Sequence, residues 1–316
     1  MLAAAAGEPV LLFAGRVLSG VALGLVMAVG TAWIKELSEA PFDASASGSG
    51  ARRAALSLTT GFALGAAVAA ALAQFAPLPE VLPYLVNVAL CAASFAFALR
   101  TPESHPRDPA RGGRLRDDLR IPSASHRRFL GVVAPMSPWV FGTAASAYAI
   151  LPALLVDRVA GFEVGFAGLM CLVSLGCGVG AQTLARRIDL PGGCRGVTAA
   201  LAAVVPGMLL AAATALTRSV ALALVAAAAL GIGYGLLLVG GLMEVQRIAG
   251  PDDLAGLTAV SYSLSYVGFF VPAVLAAISP VIGYPTLFVA GAVIAALSAA
   301  LVWRAHVNGK RRALAA

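Results

Sequence analysis

The chain has 316 residues, 60% of them hydrophobic and only 12% charged, with 34 glycines and a formal charge of +7. A mean hydropathy of +0.89 excludes a soluble domain and marks a polytopic membrane protein, in which glycine and alanine let helix backbones approach closely. Strand-like alternation is absent, which excludes a β-barrel, and the basic residues sit in short loops between apolar runs, a pattern of membrane orientation rather than of nucleic-acid binding.

The N-terminus, MLAAAAGEPV, has no basic n-region, so it reads as the frayed end of an earlier hydrophobic segment and not as a signal peptide. Apolar runs bounded by charge, Pro or Gly then predict nine membrane-spanning helices, at 10–34, 56–75, 81–99, 129–155, 163–184, 197–217, 219–243, 255–278 and 281–303. The first carries one formal charge, Arg16, followed by Gly20, Gly24 and Gly30. An arginine at membrane depth costs from about 3 to more than 10 kcal/mol, so it either faces a wet cavity or partner group or snorkels to the near interface.

Between the third and fourth spans lies TPESHPRDPARGGRLRDDLRIPSASHRR, residues 101–128, too polar and too rich in Pro and Arg to form a core. The expected organisation is a three-helix unit at 1–100, a linker at 101–128, a six-helix unit at 129–304 and a tail at 305–316. Of the lysines and arginines outside the spans, 19 fall on the linker side, against Arg158 and Arg218 on the other. The positive-inside rule places the linker and C-terminus in the cytoplasm. An odd number of spans puts Met1 outside, and three further helices upstream would bring that terminus back to the cytoplasm. On this expectation the chain is N-terminally incomplete and inactive unless a partner supplies three helices.

An internal repeat accords with it. At one offset of 211 residues, Gly20, Gly24 and Gly30 pair with Gly231, Gly235 and Gly241, and Lys35 and Glu36 with Gln246 and Arg247; the following helices match at Gly65 with Gly268 and Leu72 with Leu275.

RVLSGVALG, from Arg16 to Gly24, resembles the fourth-helix motif of the major facilitator superfamily, in its bacterial drug-efflux-like members with twelve helices. GFALGAAVAA, from Gly61 to Ala70, resembles that family's fifth-helix antiporter motif, with Ala66 where its proline should stand; GAQTLARR, from Gly180 to Arg187, is similar to a cytoplasmic gating loop, with Ala185 in place of the usual acid; and PES at Pro102–Ser104 resembles the close of the sixth helix. The resemblance implies a helical bundle lacking its first three helices. It also implies secondary transport by alternating access, export of a small amphipathic compound in exchange for an ion, a proton by analogy, and a monomer when complete. A non-transporting receptor or scaffold, an inactive fragment and an uptake symporter stand as alternatives.

Candidate residues follow. Arg16, Met27, Tyr148, Tyr234, Tyr262 and Tyr266 can line a substrate or ion pathway, the aromatics equally serving as interfacial anchors. Gly20, Gly24, Gly61, Gly65, Gly231 and Gly235 can make close helix crossings, Pro272 can kink its helix, and Arg186 and Arg187 can face a gate or anionic lipid. None of the 15 acids is expected in a helix interior, with Glu244 at a cytoplasmic end. Cys91, Cys171, Cys177 and Cys194 and the histidines His105, His126 and His306 form no metal-ligand pattern, no phosphate-cradling loop appears, and neither an enzyme nor a cofactor is expected.

Overall fold

In the computed structural model the described residues are 8–43, 49–104, 121–188, 195–250 and 253–315, with the side chains of 184–188, 195, 306 and 308–315 outside the description. Every regular element among them is helical, as lipid requires of a chain whose backbone groups have no water to bond. The helices are α1 (Pro9–Glu36), α2 (Ser49–Phe75), α3 (Leu82–Ala98), α4 (Phe129–Leu154), α5 (Glu163–Ile188), α6 (Arg195–Thr217), α7 (Val220–Ile248), α8 (Leu254–Ile282) and α9 (Tyr284–Ala315).

Eight of these are long and apolar enough to cross a membrane. The third expected span is the exception: α3 has 17 residues, about 25 Å at ~1.5 Å per residue, the lower limit for spanning. Helix ends also run past the apolar runs. α2 begins at Ser49 and so includes Arg52 and Arg53, α5 continues through the GAQTLARR stretch expected to be a loop, and the helical backbone of α9 extends through the expected tail. Charged residues are good helix formers, so hydropathy ends where the lipid does and the helix continues into water.

Pro272 stands just after a 3-10 turn, Val267–Phe270, that breaks α8 in two. Its ring removes an amide donor and crowds the preceding turn. Three further interruptions are π turns, at Val26–Gly30 in α1 and at Phe129–Val133 and Ser146–Ile150 in α4.

The core centres on α7, which packs between α4, α5 and α6, and the glycines of the repeat decide how closely. A Cβ built on Gly231 would lie 1.8 Å from the Ser174 carbonyl oxygen, and one on Gly235 2.3 Å from that of Gly178, so α5 and α7 touch backbone to backbone. Gly268 is equally confined, with Pro138 O at 2.3 Å, where α8 crosses α4. The repeat partners Gly20, Gly24 and Gly65 behave differently, and so does Gly61. Gly20, Gly24, Gly61 and Gly65 have nothing within 4 Å of such a Cβ, so the close crossings expected at these four are not formed among the described residues. Pro9–Leu25 of α1, like α3, contributes no buried residue.

Candidate functional site

The basic end, where Lys35, Arg53, Arg128 and Arg247 gather, is where α1 meets the later helices. Ala32 shares a buried cluster with Phe129, Val133, Val245, Leu254 and Leu257. Next to it, Thr31 and Tyr262 of α8 bring their hydroxyls to 3.4 Å, and one turn deeper Tyr266 donates to the sulfur of Met27. These contacts lie in the last third of α1. Its first part, carrying Arg16, is exposed and stands apart, with no carboxylate partner for Arg16 among the described residues.

Four of the six expected pathway residues are therefore neighbours. Met27 accepts from Tyr266, beside which lies Phe141 of α4, its ring 4.5 Å from Phe269, 5.3 Å from Tyr266 and 6.3 Å from Tyr234, and Tyr262 belongs to the same buried cluster. The rings of Phe269 and Tyr266 lie within 13° and 16° of parallel to Phe141 and that of Tyr234 is tilted by 37°, arrangements that attract beyond their burial. Phe141 is 1% exposed whereas Phe269 is 41% exposed, so the cluster joins the core to an accessible aromatic face. Tyr148 packs on the same core from α4, while Arg16 does not join it. The side chains of Arg186 and Arg187 lie outside the described residues.

Spacing did not reveal a second group. Gln182 of α5 is fully buried and donates from Nε2 to Thr59 Oγ1 of α2 at 2.7 Å; Thr59 in turn donates to Tyr234 Oη at 3.4 Å. A lone glutamine within an apolar run was the available signal. At the basic end, Glu244 is 1% exposed, buried in the last turns of α7 and not merely placed at an end. It accepts from Arg128 Nη2 at 3.0 Å and from Arg247 Nη1 at 2.7 Å. Glu-x-x-Arg brings Glu244 and Arg247 together one turn apart, but Arg128 comes from the linker exit and only folding places it. The same exit is held by Ser123, whose amide donates to Asp253 and whose hydroxyl donates to the Ile248 carbonyl. The linker entrance is held too, by Ser104 donating to Glu36.

Between these anchors a cavity of about 360 Å³ opens at the basic end, lined by Lys35, Glu36 and Glu39 from the first helix and its turn and by Gln246, Gly250 and Leu254 from the later ones. Lys35 and Gln246 are partners in the repeat, so its two walls come from equivalent positions. Among the described residues no group of three metal-ligating side chains occurs.

The family model described as Major Facilitator Superfamily matches residues 1–271. The chain belongs to that superfamily. No curated protein and no solved structure matches it. As a superfamily member with eight helices long and apolar enough to cross a membrane among its described residues, it is a multi-pass membrane transporter, a class whose substrates are small molecules bound within the bilayer and whose members are generally not enzymes.

Proposed function

We propose that this superfamily transporter is a secondary active exporter of small amphipathic compounds, driven by an ion gradient with the proton as the coupling ion, and working as a monomer in the plasma membrane. The first three helices and the six at 129–304 turn against each other, with the linker and C-terminus in the cytoplasm. The observation that carries this reading is the meeting of Met27, Tyr234, Tyr262, Tyr266 and Thr59 between helices on the two sides of the linker. There, hydroxyls and stacked rings offer both hydrogen bonds and an apolar face. Gathered contacts at the basic end and an uncovered α1 at the other support a state closed toward the cytoplasm. Arg16 and Tyr148 belong to the pathway at its outer part, and Gly20, Gly24, Gly61, Gly65, Gly231, Gly235, Pro272, Arg186 and Arg187 to packing and gating.

Reconstitution into liposomes with ethidium as the probe tests this. Dye movement is expected to follow an imposed pH gradient, to collapse with an uncoupler and to ignore ATP; movement that needs ATP and survives the uncoupler overturns it. Tyr266→Phe, which removes the hydroxyl on Met27, is expected to slow ethidium movement about two- to fivefold, the value of one neutral hydrogen bond.

A further inference from the structure

Helices α2 and α5 run antiparallel in prolonged contact, and each reaches across to the other with one glutamine. Near the far end, Gln74 of α2 donates to the Gly161 carbonyl and accepts from the Gly165 amide, both at 3.0 Å. Toward the basic end, Gln182 of α5 donates to Thr59. Thr59 and Gln74 are 15 residues apart, about 22 Å along the helix at ~1.5 Å per residue. Between the two ties, a Cβ on Gly168 would lie 2.2 Å from the Ala70 methyl, so the helix axes hold their spacing there because Gly168 has no side chain.

The ties differ in what they leave over. Both ends of the Gln74 amide are used. Gln182 and Thr59 are 0% exposed, and Gln182 Oε1 has no hydrogen-bond partner among the described residues. Turning the amide over exchanges which atom is left and does not remove the deficit. A buried polar atom without a partner raises the free energy of the state that contains it, and water relieves it when that state opens.

We propose that Gln182 is a positioning residue for alternating access. Its bond to Thr59 sets the register of α5 on α2 in the closed arrangement, and its unsatisfied amide atom keeps that arrangement from becoming a trap. The Gln74 end then serves as the fixed pivot and the Gln182 end as the part that releases and hydrates. This rests on the alternating-access reading above.

The test uses the full chain in lipid nanodiscs, with the four native cysteines replaced and a single cysteine at Ala55, which is 0% exposed and one turn from Thr59, alkylated by a hydrophilic maleimide. Thr59→Val strips the amide of its remaining partner and is expected to speed alkylation about fivefold, whereas Gln182→Leu and the near-isosteric Gln182→Met remove tie and deficit together and are expected to slow it about threefold. Opposite signs at the two ends of one hydrogen bond are the signature, and a merely structural tie cannot produce them. Faster alkylation in all three variants overturns the role of Gln182 while leaving alternating access intact. An unchanged rate in every variant likewise overturns the role of Gln182, while alternating access stands or falls on the ethidium assay. The Gln182→Met variant, matched in volume, retains the test where Gln182→Leu fails to fold.

Discussion

Gly231→Ala is expected to be among the most damaging single-methyl additions in this transporter. Its new Cβ falls 1.8 Å from the Ser174 carbonyl oxygen, and the obstacle is backbone, which no rotamer change can move aside. Forcing an extra methylene into a packed core costs about 1–3 kcal/mol where side chains can adjust. Here α5 and α7 themselves must separate, so a loss of about 3 kcal/mol or more is expected, and Gly231→Val should not accumulate as folded protein. The control lies in the repeat. Gly20→Ala and Gly24→Ala meet nothing within 4 Å and should be neutral or stabilising by about 0.5–1 kcal/mol through helix propensity. Thermal unfolding in detergent, followed by size-exclusion chromatography, reads both. Equal midpoints for Gly231→Ala and Gly20→Ala would contradict the backbone contact between α5 and α7.

The second large effect is expected at Glu244. Its carboxylate, with the side chain 2% exposed, bonds the guanidinium groups of Arg128 and Arg247, whose side chains are 28% and 29% exposed. Removing one member of a buried ion pair costs about 3–5 kcal/mol because the opposite charge stays desolvated. The partial exposure of both arginines lets water repay part of that, so Glu244→Ala is expected to lose about 2–4 kcal/mol. Arg128→Met should recover some of the loss when added to Glu244→Ala, giving a coupling energy of about 1 kcal/mol or more in a double-mutant cycle. Additive losses would mean that Arg128 and Glu244 act separately. Because Arg128 closes the linker exit onto α7, Glu244→Ala should also reduce transport at temperatures where the fold survives.

What could be read from the chain divides along physical lines. Spans were legible because lipid imposes one length and one polarity on every helix, so Phe129–Leu154 and Glu163–Thr183 emerge within a turn of the apolar runs. Proline gave the break before Pro272, since the missing amide donor acts locally. Glycine spacing gave candidate crossings at Gly20, Gly24, Gly231 and Gly235 alike, but spacing cannot say whether a neighbour arrives, and only the later pair meets one. Tyr234, Tyr262 and Tyr266 could be proposed as pathway residues from type and depth. That Phe141 gathers two of them depends on the crossing at Gly268, which no local signal carries. Gln182 and Thr59 carry no such signal, because a single polar residue in an apolar run has many uses and 123 residues of chain separate this pair. Glu244 reads as peripheral for a similar reason: position along a helix does not reveal what the linker will lay over its end.

The π turn at Val26–Gly30 sets the phase of everything after it in α1. Such a turn holds one residue more than an α turn, so the helix beyond it is rotated by about 100° from where an uninterrupted helix would place it. Met27 and Thr31 reach α8 across this shift, and Lys35, Glu36 and Trp33 follow it. Chain length through the π turn thus acts as a setting for azimuth: deleting Ala28 would restore an unbroken helix, swing the segment Thr31–Glu36 by that angle and carry its buried face away from Tyr262. An α-helical wheel drawn through residues 10–36 assigns the wrong side to its last turns, and any comparison of this helix with another by glycine spacing must count that extra residue.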